Sequence, residues 1–204
     1  MAKRRVCLAV PTTDMQLANV AVAQAIKTAG VKCYVRTALD DKKAGGCNTA
    51  NRVLVAAYRK RTPYICYIND DVQIKQEGWL KRLVEVMDEN PRCGIAAPGC
   101  DCGTRPQMQG RPRLPQGVRQ VRRLSFVTAI FRRKLFEDIG FLDDEYYHWA
   151  CDTDLCERAR KVGWKLLYVQ DVFVHHKRIP LWMRPKYIQQ WRALDSARWK
   201  ARKR

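Results

Sequence analysis

Apolar and polar positions along the chain follow two periods that replace one another. Val6 to Val10 is an uninterrupted apolar run that stops at Pro11, and Met15 to Ala29 repeats at helical spacing until Gly30 ends it. The same pair then recurs. Lys32 to Thr37 reads as a strand and Thr49 to Tyr58 as a helix. Tyr64 to Ile68 is apolar enough to be a strand buried on both faces, as parallel strands are. Gly78 to Glu89 sets Trp79, Leu80, Leu83, Val84 and Met87 on one helical face, and Cys93 to Ala97 follows as a fourth strand. Further on, Leu124 to Phe131 is β-rich, Arg133 to Ile139 is a short helix, Asp154 to about Val162 a longer one, and Leu166 to Val169 a strand. This alternation predicts one α/β domain with a mostly parallel central sheet, and no internal repeat interrupts it.

Two segments break the pattern. Gly99 to Gly117 is rich in Pro, Gly and Gln without hydrophobic periodicity, so it reads as a long basic loop, and loops of that length in compact domains usually carry function. Beyond Lys177 the chain reads as a helical, partly amphipathic tail. The division is residues 1–176 for the α/β domain and 177–204 for a basic, Trp-containing C-terminal tail.

Charge sharpens this division. Lys and Arg number 39 against 20 Asp and Glu, a formal net charge of +19. Arg105 to Arg123 holds six Arg and no acid, and Lys177 to Arg204 holds ten Lys and Arg against Asp195 alone. A near-neutral body with two basic segments suits a polyanion: nucleic acid, an anionic membrane surface or a phosphorylated acceptor. Trp182, Trp191 and Trp199 interleave with the tail's charges and suit stacking on bases or a lipid headgroup layer.

With 47% hydrophobic residues, disorder of the whole chain is excluded. The longest uncharged stretch, Met15 to Ile26, falls short of the roughly 20 apolar residues of a membrane-spanning helix, and Val6 to Val10 is too short for a signal-peptide core. Nine cysteines, several inside apolar runs, read as reduced thiols packed in a core. Cys93, Cys100 and Cys102 come nearest to a zinc pattern, but no second CxxC or partnered histidine accompanies them. The expected location is cytoplasmic, with peripheral contact at the inner face of a membrane as the variant the tail would permit.

In open α/β sheets, ligands bind beyond the carboxyl ends of the parallel strands. Asn69-Asp70-Asp71-Val72 follows the third strand there. Two adjacent carboxylates at a buried strand end repel each other unless a positive partner intervenes, and Mg²⁺ or Mn²⁺ with a bound diphosphate is the natural one. A turn whose Asx side chains cap backbone groups accounts for the same residues without any ligand. Asp154 with Glu157 fits an N-cap and capping box, which leaves Asp152 just ahead of the helix beside Tyr147 and Trp149. Desolvation there would raise its pKa and suit it to act as a general base. His175 and His176 end the last strand, where a pair near an acidic site can ligate a metal.

Taken in order, Asn69-Asp70-Asp71-Val72, Gly78-Trp79-Leu80, the run from Phe131 to Asp143, the run from Asp152 to Trp164 and His175 resemble glycosyltransferase family 2. The likeness is to its GT-A fold and especially its rhamnosyltransferase-like members, over about residues 4 to 176. The third block of that family usually reads Glu-Asp-x-Asp-Leu-Cys-x-Arg; here Cys151 stands in place of the Glu and the following Asp is kept. The resemblance implies that Asp71 binds a divalent metal, Mn²⁺ or Mg²⁺, with Asn69 and Asp70 near the ribose and diphosphate of a nucleotide-sugar donor. It implies Asp152 as catalytic base and His175 as a further metal contact. Pro11-Thr12 stands where the family has its nucleotide-binding Pro-x-Tyr-Asn, without the Tyr-Asn. Asp40 or Asp41 takes the base-contacting role, and Gly45 and Asn51 match the Gly-rich turn and the Asn of the next helix. Neither GxGxxG nor GxxxxGK[ST] occurs, which argues against dehydrogenases and P-loop enzymes.

The resulting expectation is a metal-dependent inverting glycosyltransferase acting on an acceptor hydroxyl. The basic segments point to an anionic acceptor: a glycan, a lipid-linked saccharide or nucleic acid. The competing reading is a non-catalytic nucleic-acid-binding module on a degenerate scaffold. The missing Tyr-Asn, Cys151 and the two basic segments favour it, and the joint presence of Asp70, Asp71, Asp152 and His175 opposes it. A third reading docks the tail on an anionic membrane beside a lipid-linked acceptor.

Overall fold

The computed structural model describes residues 5–41, 44–101, 117–176 and 185–202. Most of the long basic loop and Trp182 therefore lie outside the described residues. In chain order the elements are β1 (Val6–Thr12), α1 (Met15–Thr28), β2 (Cys33–Leu39), α2 (Gly46–Tyr58), β3 (Tyr64–Ile68), β4 (Val72–Gln73) and α3 (Trp79–Glu89). They continue with β5 (Cys93–Cys100), β6 (Val118–Gln120), β7 (Thr128–Arg132), α4 (Arg133–Ile139), α5 (Cys151–Lys161), β8 (Lys165–His176) and α6 (Lys186–Ala201).

One sheet runs in the order β2-β1-β3-β7-β5-β8-β4, with β6 also paired to β8. β1 is parallel to β2 and β3, and β5 is parallel to β8. β7 is inserted antiparallel between β3 and β5. The mostly parallel expectation holds for β1, β2, β3, β5 and β8, with β7 reversed in the middle and the short β4 and β6 antiparallel to β8. The β-rich run from Leu124 becomes strand only at Thr128.

Period-2 alternation divides the core. Val6, Leu8 and Val10 point into the layer under α1 and α3, where Trp79, Leu83 and Met87 are fully buried. Cys7 and Ala9 point to the opposite layer, under α2, α4 and α5, with Leu54, Phe131 and Leu155. Burying both faces of β1 and β3 explains their unbroken apolar runs and contributes on the order of 25 cal/mol per Å² of apolar area removed from water. The buried cysteines are free thiols, and burial pushes that of Cys7 up to about 11 and those of Cys93 and Cys156 up to about 12.

Two helix starts differ from the expected ones, and both matter to the site. α2 begins at Gly46, not Thr49. α5 begins at Cys151, after Ala150 in the left-handed region at φ 65°, so Asp152 lies inside the first turn and Asp154 is not the cap. Asp154 instead forms an i,i+4 pair with Arg158 at 2.7 Å, and the same guanidinium donates to the carbonyls of Ile139 and Phe141. The capping-box expectation fails because Arg158 offers this buried carboxylate a stronger, charged partner than a backbone N–H.

Candidate active site

The carboxyl ends of β1, β2 and β3 open into one cavity of about 450 Å³. Pro11, Thr12, Asp40, Asn69, Asp70 and Asp71 all line it. Sequence-adjacent carboxylates are held here by different partners. Asp70 Oδ2 accepts a 2.5 Å hydrogen bond from the Thr12 hydroxyl. Burial pushes its pKa up, the Thr12 hydrogen bond works against that rise, and the Asp71 charge adds to it. Asp40 accepts from the backbone N–H groups of Ala44 and Gly45 at 2.7 and 3.2 Å, tying the end of β2 to the start of α2.

Asp71 has a histidine partner, and it is His176. Its Nε2 lies 2.9 Å from Asp71 Oδ1, and Asn69 Nδ2 lies 3.5 Å from the same nitrogen. His175, expected as the metal contact, points the other way. It is half exposed and places Nδ1 3.2 Å from Asp101. Strand alternation is the reason: Val172, Val174 and His176 share the buried face of β8, and the antiparallel pairing of Val72 with His176 brings that residue beside Asp71.

Asn51 does not line the cavity. Its amide donates to the Leu142 carbonyl at 2.8 Å and accepts from the Leu142 N–H at 3.0 Å, bridging α2 to the chain after α4. With both ends of the amide so engaged, the residue expected beside the nucleotide serves as a tertiary clamp.

A second cavity, of about 170 Å³, adjoins the first and shares Gly46, Tyr67, Asn69 and His148 with it. Asp152 lines this second space. Burial raises its pKa, opposed by hydrogen bonds that include a 2.6 Å contact from the Thr153 N–H. Two carboxylate sites thus face connected spaces, one paired with imidazole and one desolvated.

The donor set suits a divalent ion held jointly by protein and ligand. Asp71 Oδ1 is buried and receives no well-aligned hydrogen bond, with His176 Nε2 as its neighbour. Among the described residues no three His, Cys, Asp or Glu side chains come together to form a complete metal site. Asp71 and His176 would leave most positions to phosphate oxygens and water, the usual arrangement for hard cations at diphosphates.

No family model matches the chain. Over 66 residues it is 38% identical to the N-acetylglucosaminyl-diphospho-decaprenol L-rhamnosyltransferase of Mycobacterium tuberculosis, in strains CDC 1551 / Oshkosh and H37Rv alike. The match takes in 32% of this chain and 22% of the relatives' own length. Among solved structures, GalNAc-T7 with UDP, GalNAc and Mn²⁺ superposes with a TM-score of 0.64 at 13% identity, over 85% of this chain and 44% of that one. S. aureus TarS 1-349 in complex with UDP gives 0.58 at 15% identity, over 86% and 61%. A197 from STIV gives 0.58 at 9% identity, over 86% of each chain. The chain has the GT-A glycosyltransferase fold. The rhamnosyltransferase-like resemblance is borne out over the matched stretch.

The C-terminal helix of this GT-A chain is docked on its body. Asp195, the one acid of the tail, is fully buried. Its carboxylate accepts the successive backbone N–H groups of Tyr147, His148 and Trp149 at 2.9, 2.8 and 2.8 Å. Trp191 stacks on Tyr147 with centroids 5.5 Å apart, Arg202 pairs with Asp143 and Glu145, and Arg198 pairs with Glu145. α6 thereby contributes Tyr187, Ile188 and Trp191 to the wall of the larger cavity. No helix among the described residues is long and apolar enough to cross a membrane.

Sequence reasoning named the histidine pair but took His175 for the metal contact over His176, and it gave no role to His148 or to this aromatic wall. Alternation along Val172, Val174 and His176 was a usable signal for that choice. For the wall the signal was weaker: a single acid among ten basic residues.

Proposed function

We propose that the chain transfers a glycosyl group from a nucleotide-diphosphate sugar to an acceptor hydroxyl with inversion at the anomeric carbon. The observation that carries this is the pairing of two connected cavities, one holding Asp70 and Asp71 at the end of β3, the other holding Asp152. Asp71 and His176 would hold a divalent cation, Mn²⁺ or Mg²⁺, at the donor diphosphate. When bound, such an ion offsets negative charge on the departing nucleotide. Thr12 fixes the Asp70 carboxylate, and Asp40 fixes the turn into α2, so that end of the cavity is preorganised. Asp152, its pKa raised by burial, would take the proton from the acceptor hydroxyl as that oxygen attacks from the face opposite the leaving group. Tyr67, Asn69 and His148 line both spaces and so stand where donor and acceptor meet.

For the acceptor, a glycan or lipid-linked saccharide is favoured over nucleic acid, because Arg198 and Arg202 are engaged with Asp143 and Glu145. The test is a thermal-shift panel of UDP-, GDP- and dTDP-sugars with and without Mn²⁺, on the wild type and on Asp71→Ala. A ligand at a hundredfold excess over Kd stabilises the native state by about 2.7 kcal/mol, a readily measured shift. A metal-dependent shift with one nucleotide, absent in Asp71→Ala, is the expected result. No shift with any donor would sink the reading and make salt-dependent nucleic-acid binding the next measurement.

A further inference from the structure

The loop after β1 carries no aromatic residue. Pro11 is followed by Thr12, Thr13 and Asp14, and their polar groups have local work. The Thr12 hydroxyl bonds Asp70, and Asp14 caps α1 by accepting from the N–H groups of Gln16 and Leu17 at 2.8 and 3.3 Å. Nothing in this loop offers a flat apolar surface to a nucleobase. Yet the cavity that Pro11, Thr12, Thr13 and Asp40 line has Tyr67 of β3 in its wall, shared with the Asp152 space, and two further aromatic rings, Tyr187 and Trp191, that come from α6, some 175 residues away in sequence.

We propose that Tyr187 and Trp191 of α6 form the nucleobase platform of the donor site, supplying from the C-terminal helix the aromatic surface that the β1 loop does not. The inference rests on the donor reading above and adds specificity-determining residues to it. Trp191 lines the cavity and is held in place there. One ring face lies against Tyr147 at an interplanar angle of 3°, and Tyr187 meets it edge-on at 4.9 Å. Asp195, one helical turn further along α6, locks the same helix to the backbone of Tyr147, His148 and Trp149. A ring held on two sides loses little freedom when a base stacks on it, so little of the stacking free energy is spent on ordering. The carbonyl of Tyr147 accepts from the Cys47 N–H at 3.0 Å, which joins this aromatic cluster to the α2 start and, through Gly45, to Asp40. The platform is therefore coupled to the start of α2, from which Gly46 and Cys47 reach the two cavities.

Base stacking on an aromatic side chain is worth enough that its removal costs about tenfold or more in affinity. The test is titration calorimetry of UDP, GDP, dTDP and inorganic pyrophosphate, each with Mn²⁺, on full-length wild type, Trp191→Ala, Trp191→Phe and Tyr187→Ala. Wild type should bind one nucleoside diphosphate better than pyrophosphate. Trp191→Ala and Tyr187→Ala should lose most of that advantage while binding pyrophosphate as before, and Trp191→Phe should keep it. Wild-type nucleotide affinity in both alanine variants would overturn the assignment and leave the donor reading standing. An equal loss for pyrophosphate would overturn it as well, since the helix would then be acting on the whole site. Absence of nucleotide binding in the wild type would bring down both.

Discussion

His176 Nε2 lies 2.9 Å from Asp71 Oδ1, while its neighbour His175 faces Asp101 on the other side of β8. The two histidines therefore predict different phenotypes. His176→Ala should weaken Mn²⁺-dependent donor binding by roughly tenfold or more, in the range found when groups supporting a metal site are lost. His175→Ala should leave it within about twofold. Parallel titrations of Mn²⁺ in the presence of the donor nucleotide decide between them, and equal losses would mean that strand alternation does not select the ligand.

Asp152 predicts opposite effects on rate and stability. Asp152→Asn should lower turnover by about 10²- to 10⁴-fold, the usual cost of losing a placed base. Stability should move the other way. Burial raises the folded-state pKa of this acid, so its contribution to stability is intact below the ordinary carboxylate value of about 3.9 and is lost as pH rises through the raised value. Asn carries no such penalty. The melting temperature of Asp152→Asn should exceed that of the wild type at pH 7 and the gap should close toward pH 4. A constant gap would remove desolvation as its cause.

Much of the fold was legible because β1, β3 and β5 are buried on both faces and must be nearly all apolar, which marks them without any tertiary knowledge. The placement of Asp70 and Asp71 at the cavity followed, since strand ends are where α/β sheets bind ligands. What stayed hidden depended on contacts that local pattern does not show. Asn51 carries the right residue type at the right position, but Leu142, 91 residues away, claims both ends of its amide. Asp154 looks like a cap until Arg158 is seen to hold it. The reversal of β7 between β3 and β5 is equally silent in local pattern, because its central Ala129, Ile130 and Phe131 would be apolar in either direction.

Asp195 predicts how the C-terminal helix is held. Asp195→Ala removes the acceptor of three part-buried N–H groups, each of which costs up to about 1–3 kcal/mol when left unpaired away from water. Undocking α6 re-solvates them, so the expected result is local release and not global collapse. Limited proteolysis should cut the variant within α6 much faster than the wild type. Asp195→Asn keeps one acceptor oxygen and should fall between the two. Equal protease resistance in all three would show that the aromatic and Arg contacts suffice.

Gly45 and Gly46 predict a separation between stability and activity. An added Cβ at Gly45 would meet the Tyr147 carbonyl oxygen at 2.8 Å, and the residue sits at φ 100°, where L side chains are strained. That obstacle is backbone, pinned by the Cys47 N–H and by Asp195, and cannot swing aside. The conformational strain alone is about 1–2 kcal/mol. With the clash added, Gly45→Ala should lower the melting temperature by roughly 4–8 °C in a chain of this size. At Gly46 the added Cβ meets the His148 ring, with Nδ1 at 2.6 Å and Cε1 at 3.2 Å. A ring can rotate where a carbonyl cannot. Gly46→Ala should therefore cost less stability and instead displace His148 from the junction of the two cavities, lowering turnover more than melting temperature. Calorimetry and single-turnover transfer on the two variants would show the reverse order if the loop from Tyr146 to Trp149 moved as freely as its side chains.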